Sequence, residues 1–144
     1  MDLEISLIDK SMPVPQYHSQ GAVAFDLYAR IETIIEPFTP TIVPTNLIVK
    51  VPDGYFLMLA SRSSTPIRKK LIVANGVGVI DQDFHGEKDE IGALLLNFSN
   101  KPIIVEKGER IAQAILVKVA KVDNFLLRKD SKKSSRGGFG STGK

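Results

Sequence analysis

Short apolar runs separated by turn residues make up most of the chain. The first of them alternates apolar and polar residues from Leu3 to Leu7, which is the period of a strand with one buried face. Similar runs recur through the sequence, at residues 3–8, 24–29, 32–36, 46–51, 55–60, 71–73, 91–98 and 102–106. Eight prolines leave few windows long enough for a helix. This pattern predicts an all-β sandwich or barrel.

Two further segments bear on that interpretation. Residues 66–70 form the best helical window and predict about one helical turn. Residues 109–119 could be taken for a helix, but the spacing of Ile111, Ile115 and Val117 favours a strand. The chain is therefore expected to consist almost entirely of strands and turns.

The C-terminal end has a different composition. Gly and Ser occupy eight of the fourteen positions from 131 to 144, and Phe139 is the only large apolar residue among them. Such a segment cannot bury enough apolar surface to fold alone. Residues 1–127 carry a net charge of −2, whereas residues 128–144 carry +5. We therefore predict a β-barrel core over 1–127 and a flexible, basic arm over 128–144 that suits an anionic partner.

The composition narrows the possible functions. The 144 residues, 43% apolar and 24% charged, predict one globular domain. The absence of cysteine excludes disulfides, thiol catalysis and cysteine-bound zinc, and only two histidines, His18 and His85, argue against a multi-histidine metal site. The longest nearly apolar stretch, 71–80, is shorter than the ~18 residues that span a membrane, and the N-terminus lacks the apolar core of a secretion signal. We therefore expect a cytoplasmic protein.

One segment combines glycines with an acid and an aromatic ring. Residues 75–87 read NGVGVIDQDFHGE, and the two glycines suit a tight hairpin with exposed backbone groups. Val79 and Ile80 would pack beneath this hairpin and leave Asp81 at its rim. A partly enclosed carboxylate beside an aromatic ring can act as a general base. A surface hairpin with solvated acids is the alternative that this segment alone leaves open.

Polar residues interrupt three other apolar runs. Arg62 and the three hydroxyl residues after it form a turn that could bind phosphate or cap a short helix at Thr65. Residues 107–109 predict a hairpin turn, and Gln113 beyond it needs a hydrogen-bond partner if it is buried. Asp26, within an apolar run, must be hydrogen-bonded, exposed at an edge or functional.

The last seven residues, GFGSTGK, match the first seven positions of the phosphate-binding P-loop pattern. The hydroxyl residue that binds magnesium, the preceding strand and the following helix are all missing, so a P-loop is not predicted. The glycine N–H groups, the hydroxyls and the nearby Arg136 would nevertheless suit a triphosphate.

Taken in order, AFDLYA, SRSS, NGVGVIDQDFHGE, KGERIAQ and RGGFGSTG resemble the five motifs of the trimeric dUTPase family, the deoxyuridine 5'-triphosphate nucleotidohydrolases or dUTP diphosphatases. The resemblance extends over about residues 21–144. It implies a β jelly roll (β-clip) homotrimer, with each active site drawn from three subunits and closed by the C-terminal arm. The implied activity is magnesium-dependent hydrolysis of dUTP to dUMP and pyrophosphate. This reaction limits uracil in DNA and supplies dUMP for dTMP synthesis, and it requires neither a nucleic-acid nor a membrane partner.

The resemblance also assigns roles to residues. Asp81 would activate the water that attacks the α-phosphorus, Phe84 would lie under the deoxyribose, and Asp26 would reach the Mg²⁺ only through water. The other implied substrate contacts are Arg62, Ser63, Ser64 and Gln113 at the phosphates, Asn75, Gly78, Val79 and Ile80 around the uracil, and Arg136, Phe139, Gly140, Ser141 and Thr142 in the arm.

Four features depart from the usual family pattern. Phe84 replaces a tyrosine, which removes a phenol hydroxyl and weakens the predicted hold on the sugar. His85 replaces a common arginine, and Ser64 replaces a glycine, which crowds the phosphate turn. Residues 88–90, Lys-Asp-Glu, resemble a short insertion that predicts a bulge or a widened turn.

Two other functions are weighed against this one. The dCTP deaminases share the fold and an Arg-Ser-Ser run, but their catalytic glutamate is replaced here by His85. A non-catalytic nucleotide sensor or nucleic-acid binder could use the basic, RGG-containing tail, although Phe139 is a single aromatic where strand-binding surfaces have several.

Overall fold

The computed structural model describes residues 1–129, 134–135 and 137–138. These residues form eleven strands and one short helix. In chain order they are β1 (Glu4–Leu7), β2 (Phe25–Tyr28), β3 (Thr33–Ile35), β4 (Thr41–Pro44), β5 (Leu47–Lys50), β6 (Tyr55–Ala60), α1 (Thr65–Lys69), β7 (Leu71–Val73), β8 (Gly78–Ile80), β9 (Gly92–Asn97), β10 (Ile103–Val105) and β11 (Arg110–Lys118).

The strands form four antiparallel sheets. The largest has the order β2-β11-β6-β8, and a three-stranded sheet has the order β4-β9-β7. Two-stranded sheets pair β1 with β5 and β3 with β10. The prediction of an all-β fold is confirmed, because α1 is the one helix in the described part of the chain and spans five residues.

A single hydrophobic core connects these sheets. Strand β9 alternates exposed or half-buried positions with fully buried ones, and Ala93 and Leu95 point inward. Leu57 and Leu59 of β6 and Ile111 of β11 belong to the same buried cluster. The period of two expected for strands with one buried face is therefore realised in β9 and in the second half of β6.

Each of the eight short apolar runs contains a strand, and 109–119 contains β11 as predicted. The window 66–70 overlaps α1, which ends where Lys70 adopts a left-handed φ of 56°. Strand β4 was not predicted, because its four residues lie directly after Pro40 and end on Pro44.

Both predicted hairpins are wrong. The turn at 75–77 leads from β7 to β8, and the turn at 107–109 leads from β10 to β11, but neither pair shares a sheet. Gly76 (φ 75°) and Gly108 (φ 82°) permit the sharp reversals. The reversal does not set the pairing, because β7 pairs with β9 and β8 pairs with β6. The two turns therefore carry the chain from one sheet to another.

Among the described residues the last strand ends at Lys118, and residues 121–129 are exposed. The described ranges contain no helix that is both long and apolar enough to cross a membrane. The predicted boundary between core and arm at residue 127 stays a prediction.

Candidate active site

The four-stranded sheet brings three of the motifs together. Asp26 on β2 lies opposite Gln113 on β11, and Gln113 lies opposite Ala60 at the end of β6. The turn that begins at Ser61 therefore leaves the sheet beside both polar side chains. This end of the sheet is called the phosphate end below, after the role predicted for Arg62, Ser63, Ser64 and Gln113.

Asp26 is the electrostatic centre of the phosphate end. Its residue is 9% exposed, and Arg62 Nε lies 2.7 Å from its Oδ1. Arg110 Nη1 lies 3.2 Å and His18 Nε2 lies 3.4 Å from its Oδ2. A buried carboxylate requires such partners. Arg62 is held through Nε, and within the described ranges its Nη groups make no other hydrogen bond, so they remain for an anion.

The turn after β6 is anchored at its first residue. Gln113 Nε2 donates to the carbonyl oxygen of Ser61 over 2.9 Å, and Val73 N donates to Ser61 Oγ over 2.8 Å. Gln113 thus has the partner that its position on an apolar strand demanded. The turn leads into a short helix at Thr65 with proline in its first turn, as the helix-capping interpretation expected. Ser64 is the N-cap residue of α1, but its side chain makes no capping bond. Among the described residues, the hydroxyls of Ser63 and Ser64 have no hydrogen-bond partner, and both residues follow Arg62 on the anchored turn.

The glycine segment is built around close backbone contact. Gly76 N donates to Val73 O over 3.1 Å, and Val77 N donates to Asn75 O over 2.9 Å. Gly78 is buried, and a Cβ there would lie 3.0 Å from Leu59 Cβ. A side chain at residue 78 would therefore have to push Leu59 aside for β8 to keep its distance from β6.

Val79 and Ile80 take opposite sides of β8. Ile80 packs against the core, but Val79 is 58% exposed, so the prediction that both pack beneath the turn is wrong for Val79. Successive strand residues point to opposite faces, which allows one of the two to face inward.

Asp81 follows β8 directly and is exposed. Phe84 N donates to Asp81 O over 3.4 Å, which closes a turn and places the 39%-exposed Phe84 side chain three residues beyond the acid. A cavity of about 220 Å³ adjoins this turn. Its lining residues are Tyr55, Phe56, Val79, Asp81, Gln82, Val119 and Lys121.

Asp81 and the phosphate end lie at opposite ends of β6. Gly78 pairs with Leu59 and Ile80 pairs with Leu57, so the next residue, Asp81, is level with Phe56. Ala60, the last residue of β6, lies four residues further along the strand than Phe56, which corresponds to roughly 13 Å at the rise of a strand, and Arg62 lies beyond it. One protomer therefore does not bring the candidate base to the candidate phosphate ligands.

A family model described as dUTPase matches residues 10–143. The chain belongs to the dUTPase family. A deoxyuridine 5'-triphosphate nucleotidohydrolase of Hydrogenobaculum sp. is 37% identical over 145 residues, covering 99% of each chain. The family expectation drawn from the five motifs is confirmed.

Solved dUTPase structures have the same fold. The dUTPase of Streptococcus mutans superimposes with a TM-score of 0.76 at 28% identity, covering 83% of this chain and 98% of that one. The dUTPase of Staphylococcus bacteriophage 80alpha, solved with dUpNHpp, gives a TM-score of 0.83 at 24% identity, covering 99% and 98%. The all-β dUTPase fold predicted from the sequence is thus confirmed.

The fifth dUTPase motif lies mostly outside the described residues. Five predicted contacts are affected: Arg136, Phe139, Gly140, Ser141 and Thr142. Their roles stay predictions.

The residues present fit a magnesium ion that arrives with its substrate. Nowhere in the described ranges do three His, Asp or Glu side chains form a group that could hold a metal. Both oxygens of Asp26 already contact cationic side chains. Mg²⁺ commonly keeps several waters and takes most of its remaining ligands from substrate phosphates, which matches a dUTPase site without a protein cage.

Sequence reasoning missed two groups of residues around the dUTPase motifs. Arg110 reaches Asp26 at a break in the β2–β11 register between Arg110 and Ala112. Its position three residues before Gln113 suggests a place near the site, but the sequence does not predict the bulge that directs its side chain toward Asp26. Glu90, in the predicted insertion, binds Arg30 through both carboxylate oxygens at 2.7 and 2.8 Å.

Proposed function

We propose that this protein hydrolyses dUTP to dUMP and pyrophosphate, with Asp81 as the general base for the attacking water. The observation that carries this assignment is the contrast between two motif acids. Asp26 is buried and bonded to cationic side chains, whereas the Asp81 carboxylate is exposed and has no hydrogen bond or ion pair to any described residue. A base must have a free lone pair to accept a proton, so Asp81 is suited to that role and Asp26 is not.

The phosphate end suits the leaving pyrophosphate. Arg62 supplies a guanidinium that Asp26 holds in place, and Ser63 and Ser64 add free hydroxyls on the anchored turn. Charged N–H donors with fixed geometry stabilise the charge that develops on phosphate oxygens during transfer. Gln113 contributes by holding the turn at Ser61, and we propose that it also lies near the bound phosphates.

Strand β8 suits recognition of the uracil base. It is the last strand of its sheet, so one of its edges presents backbone N–H and C=O groups that no neighbouring strand uses. Together with the amide of Asn75, such groups match the polar edge of uracil. In this proposal Val79 and Ile80 shape the wall that excludes the methyl group of thymine, and Phe84 lies under the deoxyribose.

We also propose a homotrimer in the cytoplasm. Asp81 and Arg62 lie beyond opposite ends of a β6 segment that is roughly 13 Å long, which is too far for both to act on one α-phosphate in one chain, so the complete site needs a second copy. The segment 125–127 adds an argument, because Phe125, Leu126 and Leu127 are at least 88% exposed in the protomer. Assembly would bury apolar surface of this kind. The arm, 128–144, would come from a third copy and close over the base.

Magnesium would be bound mainly by the triphosphate, where it neutralises negative charge on the phosphates. Asp26 would contact it through water, while its own oxygens keep Arg62 and Arg110 in position.

The test is pyrophosphate release with magnesium from dUTP, dCTP, dTTP and UTP. We expect release from dUTP alone, and we expect Asp81→Asn to lower kcat by about 10²- to 10⁴-fold, the range for loss of a general base. Asp2→Asn, which neutralises an exposed acid outside the motifs, is the matched control and keeps the wild-type rate.

Other outcomes identify other functions. Ammonia release from dCTP would indicate a deaminase. Comparable turnover of UTP would show that Phe84 does not exclude the ribose 2'-hydroxyl. No reaction with any of the four nucleotides would refute hydrolysis.

A further inference from the structure

The turn that carries Asp81 and Phe84 is not held by the sheet. Pairing between β8 and β6 ends at Ile80 and Leu57. Beyond it, the one backbone hydrogen bond within the turn is the 3.4 Å contact from Phe84 N to Asp81 O. A bond of that length is weak, so another interaction must set the orientation of the turn.

The side chain of Gln82 supplies that interaction. Its Nε2 donates to the carbonyl oxygen of Tyr55 over 3.0 Å. Continuing the β8–β6 register by two residues places Gln82 level with Tyr55. Gln82 is the residue directly after Asp81. Its side-chain amide thus adds one more bond between the two segments beyond the last backbone pair of the sheet.

The other end of the Gln82 amide is also bonded. Lys121 Nζ donates to Gln82 Oε1 over 2.8 Å, and a hydrogen bond from a charged donor is stronger than a neutral one. Lys121 lies just beyond β11, whose path is continued by the 2.9 Å bond from Val119 N to Gly54 O. It begins the exposed segment that leads toward the arm. Gln82 therefore joins the ends of three strands: the exit of β8, the start of β6 and the exit of β11.

We propose that Gln82 is a positioning residue that orients Asp81 and Phe84, and that its bond to Lys121 couples this turn to the base of the C-terminal segment. The inference rests on the proposed dUTP hydrolysis. Misplacing a reacting group by about 1 Å can cost up to about 100-fold in rate. We therefore expect the hydrogen bonds of Gln82 to affect the rate through the orientation of the Asp81 carboxylate.

Gln82→Leu removes both bonds with little change in volume. We expect kcat for dUTP to fall about tenfold, within the range for a misplaced group, with a smaller change in KM because in this proposal Gln82 acts through the turn and not on the substrate. We also expect faster amide hydrogen exchange at Phe84. Gln20→Leu, at an exposed glutamine without a hydrogen bond to any described residue, is the control and leaves both readouts unchanged.

Lys121→Met tests the coupling. It removes the charged donor from an exposed side chain, and we expect a smaller loss of kcat than for Gln82→Leu. In the double variant the two losses should not multiply, because both changes break the same contact. Lys118→Met, at an exposed lysine on the last residue of β11, controls for loss of positive charge.

Each result decides between the alternatives. Unchanged kcat and unchanged exchange in Gln82→Leu would overturn the positioning role, and multiplied losses in the double variant would overturn the coupling. A wild-type protein that does not hydrolyse dUTP would refute the proposed function, and the exchange rate at Phe84 would still decide whether Gln82 holds the turn. If Gln82→Leu does not fold, Lys121→Met decides in the same way, since it changes only an exposed side chain.

Discussion

Three acidic residues near the motifs differ in what surrounds their carboxylates. Asp81 is exposed and free, Asp26 is buried among three basic side chains, and Glu90 is paired with Arg30. The same functional group can thus serve as a base, as an anchor for an arginine, or as a structural clamp. At the scale of single residues, solvation and partners decide the role.

Glu90 shows how this environment affects ionisation. Burial by itself would raise the pKa of Glu90, but hydrogen bonds from Arg30 and from the backbone N of Asn46, with the positive charge of Arg30, outweigh burial and hold the pKa below its ordinary value of 4.5. The hydrogen bond to Glu90 in turn raises the pKa of Arg30. A carboxyl group with a lowered folded-state pKa stabilises the fold above its unfolded pKa, and that contribution is lost as pH falls through the folded value.

We predict that Glu90→Gln lowers the free energy of unfolding at pH 7 by about 1–3 kcal/mol, the range for hydrogen bonds to a charged group. The difference from the wild type should shrink as the pH falls below 4.5, because Glu90 of the unfolded chain takes up a proton first and the folded carboxylate follows at lower pH. Urea unfolding at several pH values measures both effects.

Glu4→Gln is the control for this prediction. Glu4 contacts Lys50 at 3.0 Å, but both side chains are exposed. Exposed ion pairs contribute about 0–1 kcal/mol. An equal loss in Glu4→Gln and Glu90→Gln would contradict the assignment of a clamp to Glu90.

At the scale of elements, strand β8 has two roles, and both depend on Gly78. It closes the edge of the four-stranded sheet and leads into the turn with Asp81. Gly78 faces Leu59 so closely that any side chain at residue 78 would press on the side chain of Leu59. Placement of Asp81 therefore depends on the spacing of two strands as well as on its own turn.

We predict that Gly78→Ala lowers the free energy of unfolding by about 1–3 kcal/mol through overpacking. It should also reduce kcat for dUTP, because displacement of β8 moves Asp81. Thermal unfolding and pyrophosphate release from the same preparation test the two parts together.

Gly21→Ala is the matched control, since a Cβ at Gly21 meets nothing within 4 Å. It should change neither stability nor rate appreciably. Full stability in Gly78→Ala would show that Leu59 can move aside without cost.

At the scale of the whole molecule, the separation of Asp81 from the phosphate end means that the proposed activity belongs to an assembly of several chains. A closed homo-oligomer with head-to-tail contacts places one surface of each chain against a different surface of the next. Such an arrangement would bring Asp81 of one copy to Arg62 of another.

We predict that two inactive variants restore activity when mixed. Asp81→Asn and Arg62→Ala, unfolded together and refolded at equal amounts, should recover roughly a quarter of the wild-type rate, because random assembly of head-to-tail contacts pairs an intact Asp81 with an intact Arg62 at that frequency.

Each variant refolded alone is the control, and native mass measurement shows whether mixed trimers form. Mixed trimers without activity would mean that one chain supplies both residues, which would contradict the shared site.

Much of the local structure could be predicted from the sequence. The alternation from Leu3 to Leu7, the seven short runs after it and the spacing within 109–119 placed nine of the strands, because the period of a half-buried strand shows in neighbouring residues. The order of the motifs likewise predicted the family, and Gly76 marked a reversal that requires a positive φ.

Only the tertiary structure decided which distant segments meet. It separated β7 from β8, turned Val79 to solvent, gave Asp26 three basic partners and set Gln82 between Tyr55 and Lys121. These contacts join residues up to 84 positions apart, as Asp26 and Arg110 are. A local pattern specifies that a residue is buried or exposed, but the packing of all the sheets around one core determines its neighbours.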